Sequence, residues 1–581
     1  MFIVILQVFR LVKIVFSSLN RFRQQISTTD TSTQAALPMR IFRHSTFAAL
    51  IVSLIFLVSM IALVRDSQAL NDGKLIYGLD DAYIHMSIAR NFVEHGVWGI
   101  TQYDFSSTTS SPLWTGLLAL IYAFTGVHEN LPLILNLIFG IGAIFAANRL
   151  LMRFETPALY RLVLLLALII LTPFNTLVLI GMEHVLQILM AILLVDEFFR
   201  IMGADEKAFR VSDGVRLGVL SALTAMTRYE DLLLIGVLCL LFLLKGRWRL
   251  MLITGISASV PIIIYGMIAM SNGWDFLPTS LTIKSGAMSY LRNATWQGRY
   301  QFLVVDTYKI FANQHILSLM LLSAMGAFLY IYEKSRDLWD KRLILLVIYA
   351  LTTLMSVRFV SWPDPGTFSR YEAYLVALSL IFIPAALGFA LPHRLTRKLI
   401  PALVVGLILL AFVLNDIYQR YDDISFRQPV VTATTEIYRQ QVQMGRFLAE
   451  HYNDSNIATN DIGAVTFFTD IHNVDIWGLG TIEVARAKND NIYSTARLAE
   501  IVAENDTQIA VIYSVWMDGY GGLPDDWILV EQWVMENPPV ILGYHTVSFY
   551  ALNAEAVPDL RANLDLFAPS LPDGVRREVA S

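Results

Sequence analysis

The chain has 581 residues, of which 55% are hydrophobic and only 16% are charged. Soluble domains carry about 25% charged residues, so this composition excludes an ordinary soluble protein. With repeated apolar runs of roughly 17–22 residues, it predicts a polytopic helical membrane protein. The single cysteine, Cys239, excludes an intramolecular disulfide bond. The sequence has no basic patches with interleaved aromatic residues, so we predict no nucleic-acid partner.

Residues 1–45 predict a cytoplasmic segment that is first amphipathic and then basic. The stretch 1–19 is apolar but contains Arg10 and Lys13, and no small-residue cleavage site follows it. It is therefore more typical of an interfacial helix than of a signal peptide. Four arginines lie in the Ser/Thr-rich stretch 20–45, and such segments stay in the cytoplasm. Residues 46–64 then form the first predicted span, which places the next loop on the outer face of the membrane.

Ten further apolar runs predict membrane spans. Basic residues cluster between alternate pairs of these runs, and all the clusters fall on the cytoplasmic side only if residues 112–126 do not cross the membrane. We therefore predict an interfacial or re-entrant helix at 112–126 and about eleven spans in a membrane domain of residues 46–416, whose first outer loop is 65–130. The later predicted spans are 131–151, 161–180, 184–202, 214–227, 231–244, 250–270, 313–332, 342–358, 372–391 and 398–416.

From residue 417 to the end, charged residues become frequent and no span-length apolar run recurs. By parity of the predicted spans, this part lies outside the cell, where it forms a small α/β domain. Its predicted elements are helices at 434–452 and 495–504 and strands at 456–459, 509–513 and 540–552. The fold class predicted from the sequence is thus an all-α polytopic membrane bundle followed by an extracytoplasmic α/β domain.

Charged and polar motifs recur in the loops on the predicted outer face. The first is the stretch 77–114, which carries the adjacent carboxylates Asp80 and Asp81. Carboxylates and guanidinium groups at a membrane edge are costly to desolvate, and their clustering at one end of a bundle indicates a site for a polar substrate. The later loops add further candidate residues, which are Glu183, His184, Arg228, Glu230, Lys284, Arg370 and Tyr371.

Each of these residues also has a structural interpretation. The two aspartates could cap the helix that follows them, and the two glutamates could neutralise nearby arginines. Arg370 could anchor the interface, and Lys284 could be an ordinary surface residue. The triplet that begins at Asn293 matches a glycan acceptor site but occurs often by chance. The histidines do not have the spacing of zinc ligands.

The combination of these groups indicates one reaction class. An acceptor hydroxyl that attacks the anomeric carbon of a sugar must lose a proton, and a nearby carboxylate can accept it as a general base. A phosphate leaving group gains negative charge as its bond to the sugar breaks, so it needs cations beside it. Arginine offers paired donors for this purpose and lysine a point charge.

The order of the motifs resembles that of a known family. DDAY at 80–83, SSPLW at 110–114, GMEH at 181–184 and TRYE at 227–230 are followed by the pattern P-x-S-x-x-x-K at 278–284 and SRYEAYL at 369–375. NDIGAVTFF at 460–468 and IWGLGT at 476–481 follow in the tail, which is the part of the chain from residue 417 to 581. The sequence is similar to the GT-C superfamily of integral-membrane glycosyltransferases that use polyprenyl-phosphate sugars. The branch it most resembles holds the mycobacterial terminal arabinofuranosyltransferases and related bacterial proteins.

The resemblance implies roles for individual residues. Asp80 would be the catalytic base, with Asp81 as its partner or as a ligand of a divalent metal such as Mg, Mn or Ca. The resemblance also places Glu183 and Glu230 in the lining of the cavity. It implies that the lipid phosphate is faced by Arg228, Lys284 and Arg370. The sequence departs from the family pattern at His184 and Tyr229, which stand where the family usually has Thr and Pro.

The predicted function is thus transfer of a sugar from a polyprenyl-phosphate donor to a glycan, lipid or protein acceptor of the cell envelope. Two alternatives remain open, namely a transporter or flippase of lipid-linked sugars and a non-catalytic envelope-assembly protein. A transporter predicts charges or helix breaks at mid-membrane depth, whereas the polar groups here gather at one end of the spans.

Overall fold

The computed structural model describes residues 46–203, 210–285, 295–301, 315–359, 368, 370–388, 428–536, 539–541 and 543–580. Residues 48–581 form one compact unit, and nearly all of the other unit, residues 1–47, lies outside the described residues. The predicted interfacial helix at 1–19, the predicted span at 398–416 and Asn293 also lie outside them.

In the part of the chain before residue 389, all the regular structure among the described residues is helical. Its helices are α1 (Phe47–Leu70), α2 (Asp81–His95), α3 (Pro112–Thr125), α4 (Leu131–Arg153), α5 (Ala158–Leu171), α6 (Phe174–Leu179), α7 (His184–Met202), α8 (Val211–Thr227), α9 (Asp231–Leu244), α10 (Trp248–Ser271), α11 (Thr279–Ser285), α12 (Trp296–Tyr300), α13 (His315–Ser335), α14 (Lys341–Phe359) and α15 (Ala373–Leu387).

The apolar runs form helices close to their predicted bounds, but the predicted number of spans is not confirmed. Within the described residues, α1, α4 and α10 are long and apolar enough to cross a membrane, and α3, α5, α9 and α15 are shorter apolar helices. The run predicted as one span at 161–180 is divided into α5 and α6 at Pro173, because proline cannot donate the helical hydrogen bond. The predicted interfacial segment 112–126 is α3, and Ser111 caps it by accepting from the Trp114 N–H.

Helix α7 lies at the centre of the helical part. Most of its residues are buried, and it packs against α4, α8 and α15. With 19 residues it is about 28 Å long at 1.5 Å per residue, which is close to the thickness of a bilayer core. Its two ends therefore lie at opposite sides of the bundle, and the groups at each end belong to separate sites.

The tail combines helices with a six-stranded sheet in the order β2-β1-β3-β5-β4-β6. The two pairs that β1 makes are parallel, and the other three are antiparallel. The strands are β1 (Asn456–Thr459), β2 (His472–Asp475), β3 (Ile509–Ile512), β4 (Ile528–Met535), β5 (Thr546–Ala551) and β6 (Val575–Val579). The helices are α16 (Gln428–Arg439), α17 (Gln441–His451), α18 (Gly463–Phe468), α19 (Ile482–Asn489), α20 (Thr495–Glu504) and α21 (Val557–Phe567).

The structure confirms β1 and α20 at their predicted bounds. The single helix predicted at 434–452 is instead two helices, because the backbone leaves the helical conformation at Gln440. Strands β2, β4 and β6 were not predicted. Two apolar cores cover the sheet, one around Phe447 and Trp533 and the other around Ile501.

The tail is joined to the first outer loop by polar contacts. The Arg90 guanidinium donates to the carbonyl oxygens of Phe467 and Thr469, each at 2.9 Å, and to Asp470 at 3.0 Å. Near the end of α1, the hydroxyls of Ser67 and Thr434 lie 2.7 Å apart. These contacts fix the position of α18 over α2, which brings the motif at 460–468 to the first aspartate of the pair.

Candidate active site

Helix ends from four parts of the chain meet at one place. Asp81 begins α2, Glu183 immediately precedes α7, Arg228 follows α8, and Arg370 lies in the turn before α15. The chain folds this way because the polar residues interrupt long apolar runs, so each is placed where one helix ends and another begins. The structure therefore places these four candidate residues together.

Arg228 links two carboxylates. It donates to Glu183 at 2.6 Å and, through two nitrogens, to Glu230 at 2.7 and 3.2 Å. Glu183 is fully buried and Arg228 is 6% exposed. A buried carboxylate is costly unless it is paired, so this ion pair offsets the cost of burying Glu183. Both glutamates therefore neutralise the charge of Arg228, which is the structural interpretation that the sequence offered for them.

Arg370 forms the second pair of the site. Its guanidinium donates to Asp81 at 2.9 Å and to the Tyr371 hydroxyl at 3.2 Å. The Tyr371 ring lies 5.0 Å from the Arg370 guanidinium carbon and 5.3 Å from that of Arg228. One aromatic ring therefore contacts both cations. The side chain of Asp81 is 23% exposed, so Asp81 is the more accessible member of its ion pair.

Two histidines adjoin these pairs. His184 is buried and makes no hydrogen bond of normal geometry within the described residues, although the Gln187 side chain lies beside it. The Nε2 atom of His85 lies 3.5 Å from the Glu183 carboxylate. Its Nδ1 atom shares a hydrogen bond of 2.8 Å with the Thr115 hydroxyl. His85 was not among the residues predicted from the sequence to form the site. Its spacing of four residues from Asp81, which places both on one face of α2, is the signal that could have found it.

Steric constraints explain why the GMEH motif begins with a glycine, Gly181. Gly181 has a φ of 75°, a region that residues with a Cβ seldom adopt. A Cβ at this position would enter the ring of Tyr77 and would also meet Ala82. Gly181 therefore lets the chain turn tightly between α6 and α7 while α2 packs beside it, which places Glu183 next to α2.

Asp80 makes its hydrogen bonds away from the arginines. Its two carboxylate oxygens accept from the backbone N–H groups of Gly463 at 2.5 Å and Ala464 at 2.7 Å. It does not cap α2 through its side chain. A Cβ at position 463 would collide with the Asp80 carbonyl oxygen and carboxylate, so glycine is needed for this close approach. The geometry thus gives Asp80 a role in joining the tail to the first outer loop, and it does not support Asp80 as the catalytic base.

Asp80 has a second carboxyl group, that of Asp461, as its neighbour. Burial and the charge of Asp461 together raise the pKa of Asp80 well above its usual value. A carboxyl whose pKa is raised on folding binds its proton more tightly in the folded state. Its contribution to stability is therefore largest at low pH and is lost as the pH rises from its unfolded pKa through its folded pKa.

We expect Asp461→Asn to reduce this loss of stability, because it removes the charge that faces Asp80. The measurement is the thermal unfolding midpoint of the purified chain from pH 4 to pH 8, compared with Asp490→Asn at the end of α19 as a control. The midpoint of the Asp461 variant should gain on that of the parent as the pH rises. A constant difference across this range would show that the two carboxyl groups do not interact.

Two further predictions concern Lys284 and a metal. The backbone of Lys284 belongs to α11, but its side chain lies outside the described residues, so its predicted contact with a phosphate stays a prediction. The adjacent aspartates do not fit a shared divalent cation, because Asp80 binds backbone N–H groups and Asp81 pairs with Arg370. Within the described residues, no group of three or more His, Cys, Asp or Glu side chains is placed to hold a metal ion.

Comparison with known proteins gives one family match. A model described as "Domain of unknown function (DUF8728)" matches residues 435–550, which is less than half of the chain and lies within the tail. No curated protein matches the sequence.

Several solved structures are similar to this chain. ArnT from Cupriavidus metallidurans bound to undecaprenyl phosphate has 13% identity and a TM-score of 0.48, covering 86% of this chain and 98% of ArnT. The Archaeoglobus fulgidus oligosaccharyltransferase in complex with Zn and sulfate has 13% identity and a TM-score of 0.43, covering 88% and 77%. The mycobacterial arabinofuranosyltransferase AftD has 12% identity and a TM-score of 0.42, and the match spans 88% of this chain but 42% of AftD. All three TM-scores are below 0.5.

Proposed function

We propose that this chain is a membrane glycosyltransferase that moves a sugar from a polyprenyl-phosphate donor to a hydroxyl group of a cell-envelope acceptor. The observation that carries the proposal is the pairing of Arg228 and Arg370 with carboxylates at helix ends that meet at one side of the bundle. Two cations next to an accessible carboxylate are what the reaction needs, since one group must accept a proton while others stabilise a departing phosphate.

Asp81 is the general base in this proposal. The acceptor oxygen bonds to the anomeric carbon, the bond from that carbon to the phosphate oxygen breaks, and the proton of the acceptor hydroxyl passes to Asp81. The choice of Asp81 over Asp80 rests on contacts, because Asp81 pairs with Arg370 and is partly exposed, whereas both oxygens of Asp80 accept from backbone N–H groups.

The arginines and Tyr371 act on the donor phosphate. As the bond to the sugar breaks, negative charge grows on the phosphate oxygens, and guanidinium groups stabilise that charge with paired hydrogen bonds. Arg370 can exchange its contact with Asp81 for one with the phosphate, which frees the carboxylate to accept the proton. The Tyr371 ring keeps the two guanidinium groups at similar distances from itself, 5.0 and 5.3 Å.

His184 is the group that supports recognition of a polar ligand. It is buried close to Arg228, Arg370 and Gln187, and it makes no hydrogen bond of normal geometry within the described residues, which is costly for a buried polar ring. A sugar hydroxyl or phosphate oxygen that reaches it would satisfy a ring nitrogen. The orientation that places this site on the outer face remains the prediction made from the distribution of basic residues.

The proposal is tested by reconstituting the full chain in liposomes with a panel of polyprenyl-phosphate hexoses and pentoses and with envelope extract as acceptor. Appearance of labelled glycan supports it, provided that Asp81→Asn abolishes the signal. The host's envelope glycans should also lose a specific residue when the gene is deleted. Movement of the lipid-linked sugar across the bilayer without transfer would instead establish the flippase alternative.

A further inference from the structure

A cleft lies at the end of α7 that is opposite to the candidate active site. It is formed by the last turns of α4 and α7 and the first turns of α8, and its volume is about 650 Å³. That volume is within the roughly 300–1,000 Å³ of most small-molecule sites. Because α7 is about as long as a bilayer core is thick, the cleft lies near the other membrane surface.

The cleft is basic on one side. Arg149 and Arg216 line it, and their side chains are 55% and 53% exposed. Arg149 and Arg153 both pair with Asp196, which leaves this cluster with a net charge of +1. Arg216 belongs to a second cluster, in which Arg200 and Arg216 pair with Glu197 and Asp213 and the charges balance. The carboxylates fix the guanidinium groups in place, so the exposed part of each arginine is preorganised for an anion.

Apart from Glu197, which pairs with Arg216, and Ser212, the remaining wall of the cleft is apolar. Val211, Val215 and Val219 follow one another at intervals of four residues along α8, so they form one stripe on its surface. All three are more than half exposed, and Leu193 of α7 faces the same cleft. A basic side joined to an aliphatic stripe matches a ligand with an anionic head and a hydrocarbon tail.

We propose that this cleft binds an anionic glycerophospholipid. Its phosphate lies between Arg149 and Arg216, where the Ser212 hydroxyl adds a donor, and one acyl chain follows the valine stripe. Basic pockets between membrane helices bind anionic headgroups for this reason, and charge-assisted hydrogen bonds from guanidinium groups provide the selectivity over a zwitterionic lipid. This site is independent of the proposed transferase activity, because it lies at the other end of the bundle.

The test is native mass spectrometry of the full chain in detergent, titrated with phosphatidylglycerol and with phosphatidylcholine of the same acyl chains. We expect retained phosphatidylglycerol to fall by about tenfold, the effect of losing one or two charge-assisted hydrogen bonds, when Arg149 and Arg216 are both replaced by glutamine. Arg342→Gln, a variant at an arginine paired with Asp340, is the control and should bind as the parent does.

A second variant keeps the charges and blocks the cleft. Val215→Trp should reduce binding of phosphatidylglycerol to a similar extent, while Val163→Trp on the exposed surface of α5 should not. Equal binding of the two lipids by the parent would overturn the proposal, as would unchanged binding in the Val215 variant. Preferential retention of a polyprenyl phosphate over phosphatidylglycerol would also overturn it, because the cleft would then be a site for the donor lipid.

Discussion

Replacing Asp81 with asparagine should lower the rate of sugar transfer by about 10²–10⁴-fold, the range expected for loss of a general base. The asparagine keeps the shape of the side chain and can still accept a hydrogen bond from Arg370, so the fold should be retained. The measurement is kcat with saturating donor and acceptor, together with its pH profile, in which the acid limb of the parent should disappear in the variant.

Asp80→Asn is the matched control for this experiment, since the two residues are adjacent and chemically identical. Because Asp80 accepts from the N–H groups of Gly463 and Ala464, its replacement should lower the thermal unfolding midpoint more than that of Asp81. Loss of activity in a stably folded Asp80 variant, with activity retained in the Asp81 variant, would restore the assignment that the family resemblance implied.

Arg228→Gln should destabilise the chain by about 3–5 kcal/mol, the cost of leaving a buried charge without its partner. Glu183 is fully buried and Arg228 is its closest cation, at 2.6 Å. The expected result is a large fall in the thermal unfolding midpoint in detergent. Exposed pairs are worth only about 0–1 kcal/mol, and the Arg342–Asp340 pair is partly exposed, so Arg342→Gln should lower the midpoint much less.

The double variant Glu183→Gln with Arg228→Gln separates pairing from packing. With both charges removed, two amides of similar size can hydrogen-bond to each other, so most of the lost stability should return. Sugar transfer, which in the proposed mechanism needs the Arg228 guanidinium, should stay low. If the double variant is as unstable as Arg228→Gln alone, the loss comes from packing around the arginine and not from an unpaired carboxylate.

The helices were predictable because the apolar runs that form them are long and are separated by polar turns. The charged residues at those turns could be assigned to one end of the bundle for the same reason, which is how Glu183, Arg228 and Arg370 were identified. The break at Pro173 was predictable, because proline lacks the N–H that a helix interior needs. The number of membrane crossings could not be confirmed, since several helices in the described residues are short or carry charges.

The different roles of Asp80 and Asp81 could not be predicted, because they depend on residues far away in the chain. Gly463 lies 383 positions after Asp80, and no local pattern connects them. Strand β6 was missed for another reason. It is an edge strand with charged residues on most of its length, so it lacks the apolar alternation by which strands are recognised.

The contact between Asp80 and α18 has a consequence for building chimeras of this protein with its relatives. Exchanging the tail alone would separate Gly463 from the Asp80 carboxylate, to which its N–H donates. Any larger residue at position 463 would collide with the Asp80 backbone. Functional hybrids should therefore need crossover points that transfer the first outer loop together with the tail. The first outer loop and the tail are thus one unit for exchange, although they are far apart in the sequence.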